Sequence, residues 1–310
     1  MGRLVGGIWD PSPKDLRKTG GRFVRSQSEF RNWITADGSS GFPAAAGRYR
    51  LIVSHACPWA HRAVVFRALK GLEDAVPLTV IDAIMGDDGW MLPDGQPLHS
   101  VYTAAQADYT GRVTVPVLWD TETETIVNNE SSEIIRMFND AFAGVGPNYY
   151  PAALRAEIDA VNERVYTTVN NGVYRSGFST AQDAYEEAVG ALFDTLDWLE
   201  ERLAGQRYLV GDTVTEADWR LFTTLVRFDA VYVGHFKCNI RRLIDYPALW
   251  AHTRDLYQHP GVAGTVHMDH IKTHYYRSHL NINPTGIVPA GPALDFDAPH
   301  GRENLGRGAA

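Results

Sequence analysis

Apolar residues first gather in RYRLIVS (48–54), a short run that predicts a β-strand. In PWAHRAVVFRALKG (58–71) the period changes: Val64, Val65, Leu69 and Leu72 recur at helical spacing. Pro58 suits the first helical position and Gly71 a C-terminal stop, so the boundaries of this helix are marked at both ends. AVPLTVIDA (75–83) predicts a second strand, and the pattern opens β-α-β. VTVPVLWD (113–120) is apolar but broken by Pro116, which marks a strand edge, a strand end or a cis bond shaping a loop. TIVN (125–128) follows a polar turn and completes a hairpin. NESSEIIRMFNDAF (129–142) then opens a helix, with Asn129 or Ser131 as its cap.

Before this region, residues 1–45 are rich in Gly, Pro, Ser and charge and read as an arm or loop, with Phe23, Phe30 and Trp33 as anchors. After the loop GVGPNYYP (144–151) helical patterns dominate, over 153–170, 180–203, 216–233 and 247–258. The tail, 281–310, holds several Pro and Gly and reads as an irregular extension. The expected organisation is therefore α/β followed by all-α: an arm (1–45), a thioredoxin-like domain (46–145), a helical domain (150–280) and an extension (281–310).

Composition narrows the classes. Of the 310 residues, 45% are hydrophobic and 21% charged, a balance that supports a sizeable core. The net charge of -8 argues against a nucleic-acid binder, which presents a basic face. No run approaches the roughly 18 apolar residues of a membrane span, and no signal peptide is visible. Two cysteines, Cys57 and Cys238, suit a reducing compartment, so a cytoplasmic protein is expected.

The chemistry concentrates at Cys57. A residue between a strand and the first turn of a helix meets unpaired backbone N–H groups and the positive end of the helix dipole. Both favour thiolate, the competent nucleophile. His61 and Arg62, one turn on, offer further positive charge. The bland alternative is a buried structural cysteine. Position 60 is Ala, so the motif is Cys-Pro-Trp-Ala and a second thiol is missing. A disulfide formed at Cys57 must be resolved by another molecule, for which glutathione is the cytosolic candidate. Cys238, in GHFKCNI, has no comparable setting and reads as structural.

Four stretches carry a specific resemblance: ACPWAHR (56–62), GRVTVPVLWD (111–120), NNESSEIIRMFN (128–139) and VRFDAVYVGHFKCN (226–239). They resemble the glutathionyl-hydroquinone reductases, the xi class of the glutathione transferase superfamily, and HYYRSHLNINPTGIVP (274–289) is similar to that family's C-terminal extension. LVGDTVTEADWRLF (209–222) resembles the superfamily's helix-capping motif, with Thr215 as cap and Asp218 returning the bond. The resemblance implies a glutathione-dependent reductase, a homodimer that uses its helical domain, and glutathione as co-substrate with no metal. The Cys57 thiolate would attack the sulfur of a glutathionyl-hydroquinone, and a second glutathione would resolve the mixed disulfide.

It also implies roles for individual residues. Val115 would pair its backbone with the cysteinyl unit of glutathione. Glu130 and Ser131 would take the γ-glutamyl end at a helix N-terminus. Trp90 and Arg112 would hold glutathione from the other side, Arg112 through the glycyl carboxylate. Tyr174 and Tyr275 would line the aromatic site and assist proton transfer. Each has a structural alternative: an edge strand, a helix cap, a core tryptophan, a solvated arginine, buried core tyrosines. The histidine-rich stretch HMDHIKTHYYRSH (267–279) places His270 and His274 at i, i+4, which can hold a metal, but packing near the site is expected instead. Competing functions are an omega-like transferase that conjugates electrophiles or transfers thiols, and a non-catalytic scaffold of the same fold.

Overall fold

The computed structural model describes residues 2–12, 16–142 and 144–305, the side chains of Leu16 and Arg17 excepted. Its contacts divide the chain into two compact units. The first contains residues 26–147 with the N-terminal segment and residues 264–280; the second contains 148–263 with residues 16–25 and the tail from 281. Where the sequence suggested one helical domain over 150–280, the segment 264–280 packs with the first unit.

The first unit begins with a short hairpin, β1 (Arg3–Val5) and β2 (Ile8–Asp10), inside the segment expected to be a loop. It is ordered because Leu4 is fully buried and its backbone exchanges hydrogen bonds with Gly111 at 2.9 and 3.0 Å. Then come β3 (Tyr49–Val53), α1 (Pro58–Leu69), β4 (Leu78–Val80), α2 (His99–Ala105), β5 (Val117–Asp120), β6 (Thr125–Asn128) and α3 (Ser131–Asp140). The sheet order is β4-β3-β5-β6, with β3 parallel to β4 and the other pairs antiparallel. Tyr49, Leu51, Ile52 and Val53 of β3 are all buried, so both faces of the central strand are covered. β5 starts only after Pro116, which cannot donate to the ladder, and the Val115–Pro116 bond is cis. The order is that of a thioredoxin-like domain.

The second unit is helical: α4 (Arg155–Val165), α5 (Gly172–Gly177), α6 (Gln182–Gly205), α7 (Glu216–Leu225) and α8 (Pro247–Tyr257). The long patterns at 153–170 and 216–233 are not single α-helices. Each ends in a wider π-helical turn, Tyr166–Asn170 and Phe228–Tyr232. All ten residues of α7 are buried, and its start is the expected capping box. The Thr215 hydroxyl accepts from Ala217 N–H at 3.3 Å, and Asp218 accepts from Thr215 N–H at 2.9 Å. The tail is irregular but anchored. Arg302 Nη2 donates to the carbonyls of Leu203, Gln206 and Arg207 at 2.9, 2.6 and 2.8 Å, closing the C-terminal end of α6 with a cation. The last helix, α9 (Met268–Ser278), belongs to the first unit.

Candidate active site

Cys57 is the N-cap of α1, with extended backbone (φ -76°, ψ 118°), and its carbonyl accepts from His61 N–H at 2.9 Å. The loop from β3 therefore delivers the sulfur to the open end of the helix. Cys57 is partly exposed and its Sγ lies 3.5 Å from the Val115 carbonyl oxygen. Ala60 is fully buried, so the position of a second thiol is filled by a methyl group in the core. The side chains expected to add charge are engaged nearby: His61 Nε2 bonds Thr265 Oγ1 at 2.8 Å, and Arg62 donates to Ser131 Oγ at 3.5 Å. Arg62 is 1% exposed, and its guanidinium sits 4.6 Å from the Trp59 ring centroid.

The start of α3 corrects the expected cap. Neither Asn129 nor Ser131 caps it; Glu130 does, because its extended backbone lets one carboxylate oxygen accept from Ser132 N–H at 3.1 Å and Ser132 Oγ at 2.9 Å. The other oxygen accepts from Ser28 Oγ at 3.1 Å. Burial pushes the Glu130 carboxyl up, but the bonds from Ser132, the Arg62 charge and the Ser28 hydroxyl outweigh it and hold its pKa below the ordinary value. A half-buried carboxylate kept ionised at a helix start is suited to an ammonium group. Ser131 is the first residue of α3 and is buried beneath it.

Val115 is held by a brace the sequence reading missed. Tyr102 of α2, fully buried, donates to Thr114 carbonyl at 2.8 Å and accepts from Thr114 N–H and Asn129 Nδ2, both at 3.2 Å. One phenol thus links the residues before Val115 and Glu130. No local pattern marks Tyr102, because α2 is only seven residues long. Ser28 was missed for a similar reason: it comes from the irregular arm.

Trp90 is 7% exposed and stacks on His274 of α9, centroids 4.5 Å apart. Arg112 is half-buried, with its carbonyl accepting from Tyr109 Oη at 3.4 Å. Tyr275 is 1% exposed and meets His274 and His279 edge-on. Tyr174 lies in the second unit, in an aromatic cluster with Phe23, Phe178, Tyr232 and Phe236, under the Arg25 guanidinium. The first unit brings together Cys57 with Val115, and Glu130 with Ser131.

Neither cysteine is in a disulfide. Cys238 is fully buried, and burial pushes its thiol up to about 12, which disfavours the reactive thiolate. The histidines pack on one another: His55 lies tilted by 32° against His267 with centroids 3.6 Å apart and meets His270 edge-on at 5.4 Å. Among the described residues no group of three or more His, Cys, Asp or Glu is arranged to hold a metal. No described helix is long and apolar enough to cross a membrane.

A thioredoxin-like unit with a cysteine at its first helix, together with a helical unit in the same chain, is the build of a glutathione transferase. The family described as "Glutathione S-transferase, N-terminal domain" matches residues 56–141, and "Glutathione S-transferase, C-terminal domain" matches 182–255. The chain is 52% identical to glutathionyl-hydroquinone reductase YqjG of Escherichia coli (strain K12), over 98% of this chain and 99% of that one. It is 54% identical to glutathionyl-hydroquinone reductase PcpF of Sphingobium chlorophenolicum, covering 94% and 97%. The glutathione-bound structure of YqjG superposes with a TM-score of 0.89 at 49% identity, covering 97% and 99%. A xi-class transferase from Natrialba magadii superposes with a TM-score of 0.91 at 46% identity, covering 98% and 97%. The chain belongs to the glutathionyl-hydroquinone reductases, the xi class of the glutathione transferase superfamily.

Proposed function

We propose that this enzyme removes glutathione from glutathionyl-hydroquinones through a mixed disulfide at Cys57. The Cys57 thiolate attacks the glutathione sulfur. The carbon–sulfur bond breaks, its electron pair stays on the ring carbon, and that carbon takes a proton to give the hydroquinone. A second glutathione thiolate attacks the mixed disulfide, releases glutathione disulfide and restores Cys57. Over the cycle the sulfur of the thioether and that of one glutathione thiol are oxidised to one disulfide, and the arene is reduced by two electrons.

The observation that carries this reading is the contact between Cys57 Sγ and the Val115 carbonyl, with Ala60 in place of a resolving thiol. Val115 then presents main-chain groups for glutathione to extend, like an added strand. Glu130 takes the ammonium, while Ser131 and the α3 N-terminus take the γ-glutamyl carboxylate. Trp90 and Arg112 hold the glycyl side, and Tyr174 and Tyr275 serve the ring oxygen and the proton. Glutathione is the co-substrate, and no resident metal takes part. The working form is a homodimer in the cytoplasm, a reading supported by family membership and by the low count of two cysteines.

The test is a single turnover. Protein mixed with excess glutathionyl-hydroquinone and no added glutathione releases about one hydroquinone per Cys57 and then stops. Release of a conjugate instead, or continued turnover without glutathione, sinks the mechanism.

A further inference from the structure

The stretch from Asp82 to Leu98 carries Trp90 and has little regular structure of its own. It is held partly by itself: Asp82 N–H bonds the Met91 carbonyl at 3.0 Å, and Leu98 N–H bonds the Trp90 carbonyl at 2.7 Å. The rest comes from one stripe of α9. His270, His274 and Ser278 follow one another at four-residue steps, so they face the same way. His274 Nδ1 donates to the Ala83 carbonyl at 3.0 Å, and Ser278 Oγ accepts from Met85 N–H at 2.9 Å. His274 also lies flat against the Trp90 ring, centroids 4.5 Å apart and planes 24° from parallel. Because a carbonyl only accepts, the proton sits on Nδ1, which fixes the face the imidazole shows to the indole.

We propose that His274 is a positioning residue for the glutathione site, setting the rotamer of Trp90 by stacking while its Nδ1–H pins the loop at Ala83. One of the two histidines whose spacing could have held a metal, His274, is thus used to grip backbone. A ring pressed between a histidine and its substrate is already ordered before binding, which lowers the cost of association. The proposal rests on Trp90 contacting glutathione.

The test uses the full chain and four variants: His274→Ala, His274→Phe, Trp90→Ala and the double Trp90→Ala/His274→Ala. His274→Ala raises KM for the glutathionyl-hydroquinone about tenfold with kcat within about twofold, the size expected for a lost stack. His274→Phe keeps a ring under Trp90 and recovers most of that loss, which a general packing defect would not allow. In the double variant the two effects on KM do not multiply, because His274 acts through Trp90. Multiplying effects, or a loss confined to kcat, overturn the proposal. If Trp90→Ala leaves KM unchanged, the assignment of Trp90 to glutathione fails and this inference falls with it. His274→Phe guards against misfolding of the alanine variant: a folded phenylalanine variant with the full KM defect contradicts the stacking role.

Discussion

The sulfur of Cys57 lies 3.5 Å from the carbonyl oxygen of Val115, so the proposed nucleophile touches the main chain on which a peptide-like ligand would lie. Cys57→Ala therefore loses hydroquinone release by at least about a thousandfold, measured at saturating glutathione. Cys57→Ser keeps binding glutathione but does not turn over, which equilibrium titration separates from turnover.

Glu130 is a half-buried carboxylate whose bonds from Ser132 and Ser28 keep it ionised. Glu130→Gln removes the charge that faces an ammonium group and weakens the α3 cap. KM for the glutathionyl-hydroquinone rises roughly tenfold to a hundredfold, the range of a charge-assisted hydrogen bond. An analogue lacking the amino group should show little difference between the two proteins.

Tyr102 ties Thr114 to Asn129 through one hydroxyl. Tyr102→Phe leaves those buried groups without that partner and costs about 1–3 kcal/mol of stability, read by denaturant unfolding. It also raises KM, because the residue beside Val115 is released. A Phe variant with unchanged KM would show that the brace serves stability alone.

Arg302 closes the C-terminal end of α6 from the tail. Arg302→Met keeps the stem but strands three carbonyls, and costs about 2–3 kcal/mol. Limited proteolysis should then cut the tail faster than in the parent protein.

His252 and Asp218 form a fully buried pair, Nε2 to Oδ1 at 3.5 Å. Burial pushes His252 down to about 3, with the Arg302 charge adding to it, and burial pushes Asp218 up to about 6. The depressed histidine pKa means that the unfolded chain binds the extra proton below about pH 6.5, so this term lowers stability as pH falls from there toward 3. The raised Asp218 works oppositely, with the folded state binding the proton between about 4 and 6. His252→Gln deletes only the first term. Relative to the parent, it gains stability as pH falls from about 6 to 4, measured as unfolding free energy. A difference that stays flat with pH would show that His252 titrates normally when folded.

Much of the first unit was legible because its strands and α1 are continuous apolar runs bounded by Pro and Gly. Cys57 needed nothing beyond its place before Pro58. The Thr215–Asp218 box was readable for the same local reason. What was not legible depends on distant partners. β1 exists because Leu4 pairs with Gly111, and the cap of α3 moved to Glu130 because Ser28 and Ser132 converge on its carboxylate. The packing of α9 with the first unit sets its histidines against the loop at Asp82 to Met85, a relation between segments nearly 200 residues apart. Periodicity showed the stripe, and only tertiary contact shows what it grips.

The most direct measurement is intact-protein and peptide mass spectrometry after mixing with a glutathionyl-hydroquinone. One glutathione should appear per chain, on Cys57, and vanish when glutathione is added, with glutathione disulfide formed in step. Hydroquinone released with Cys57 unmodified at every time point, or turnover by Cys57→Ala, would contradict the mixed-disulfide mechanism.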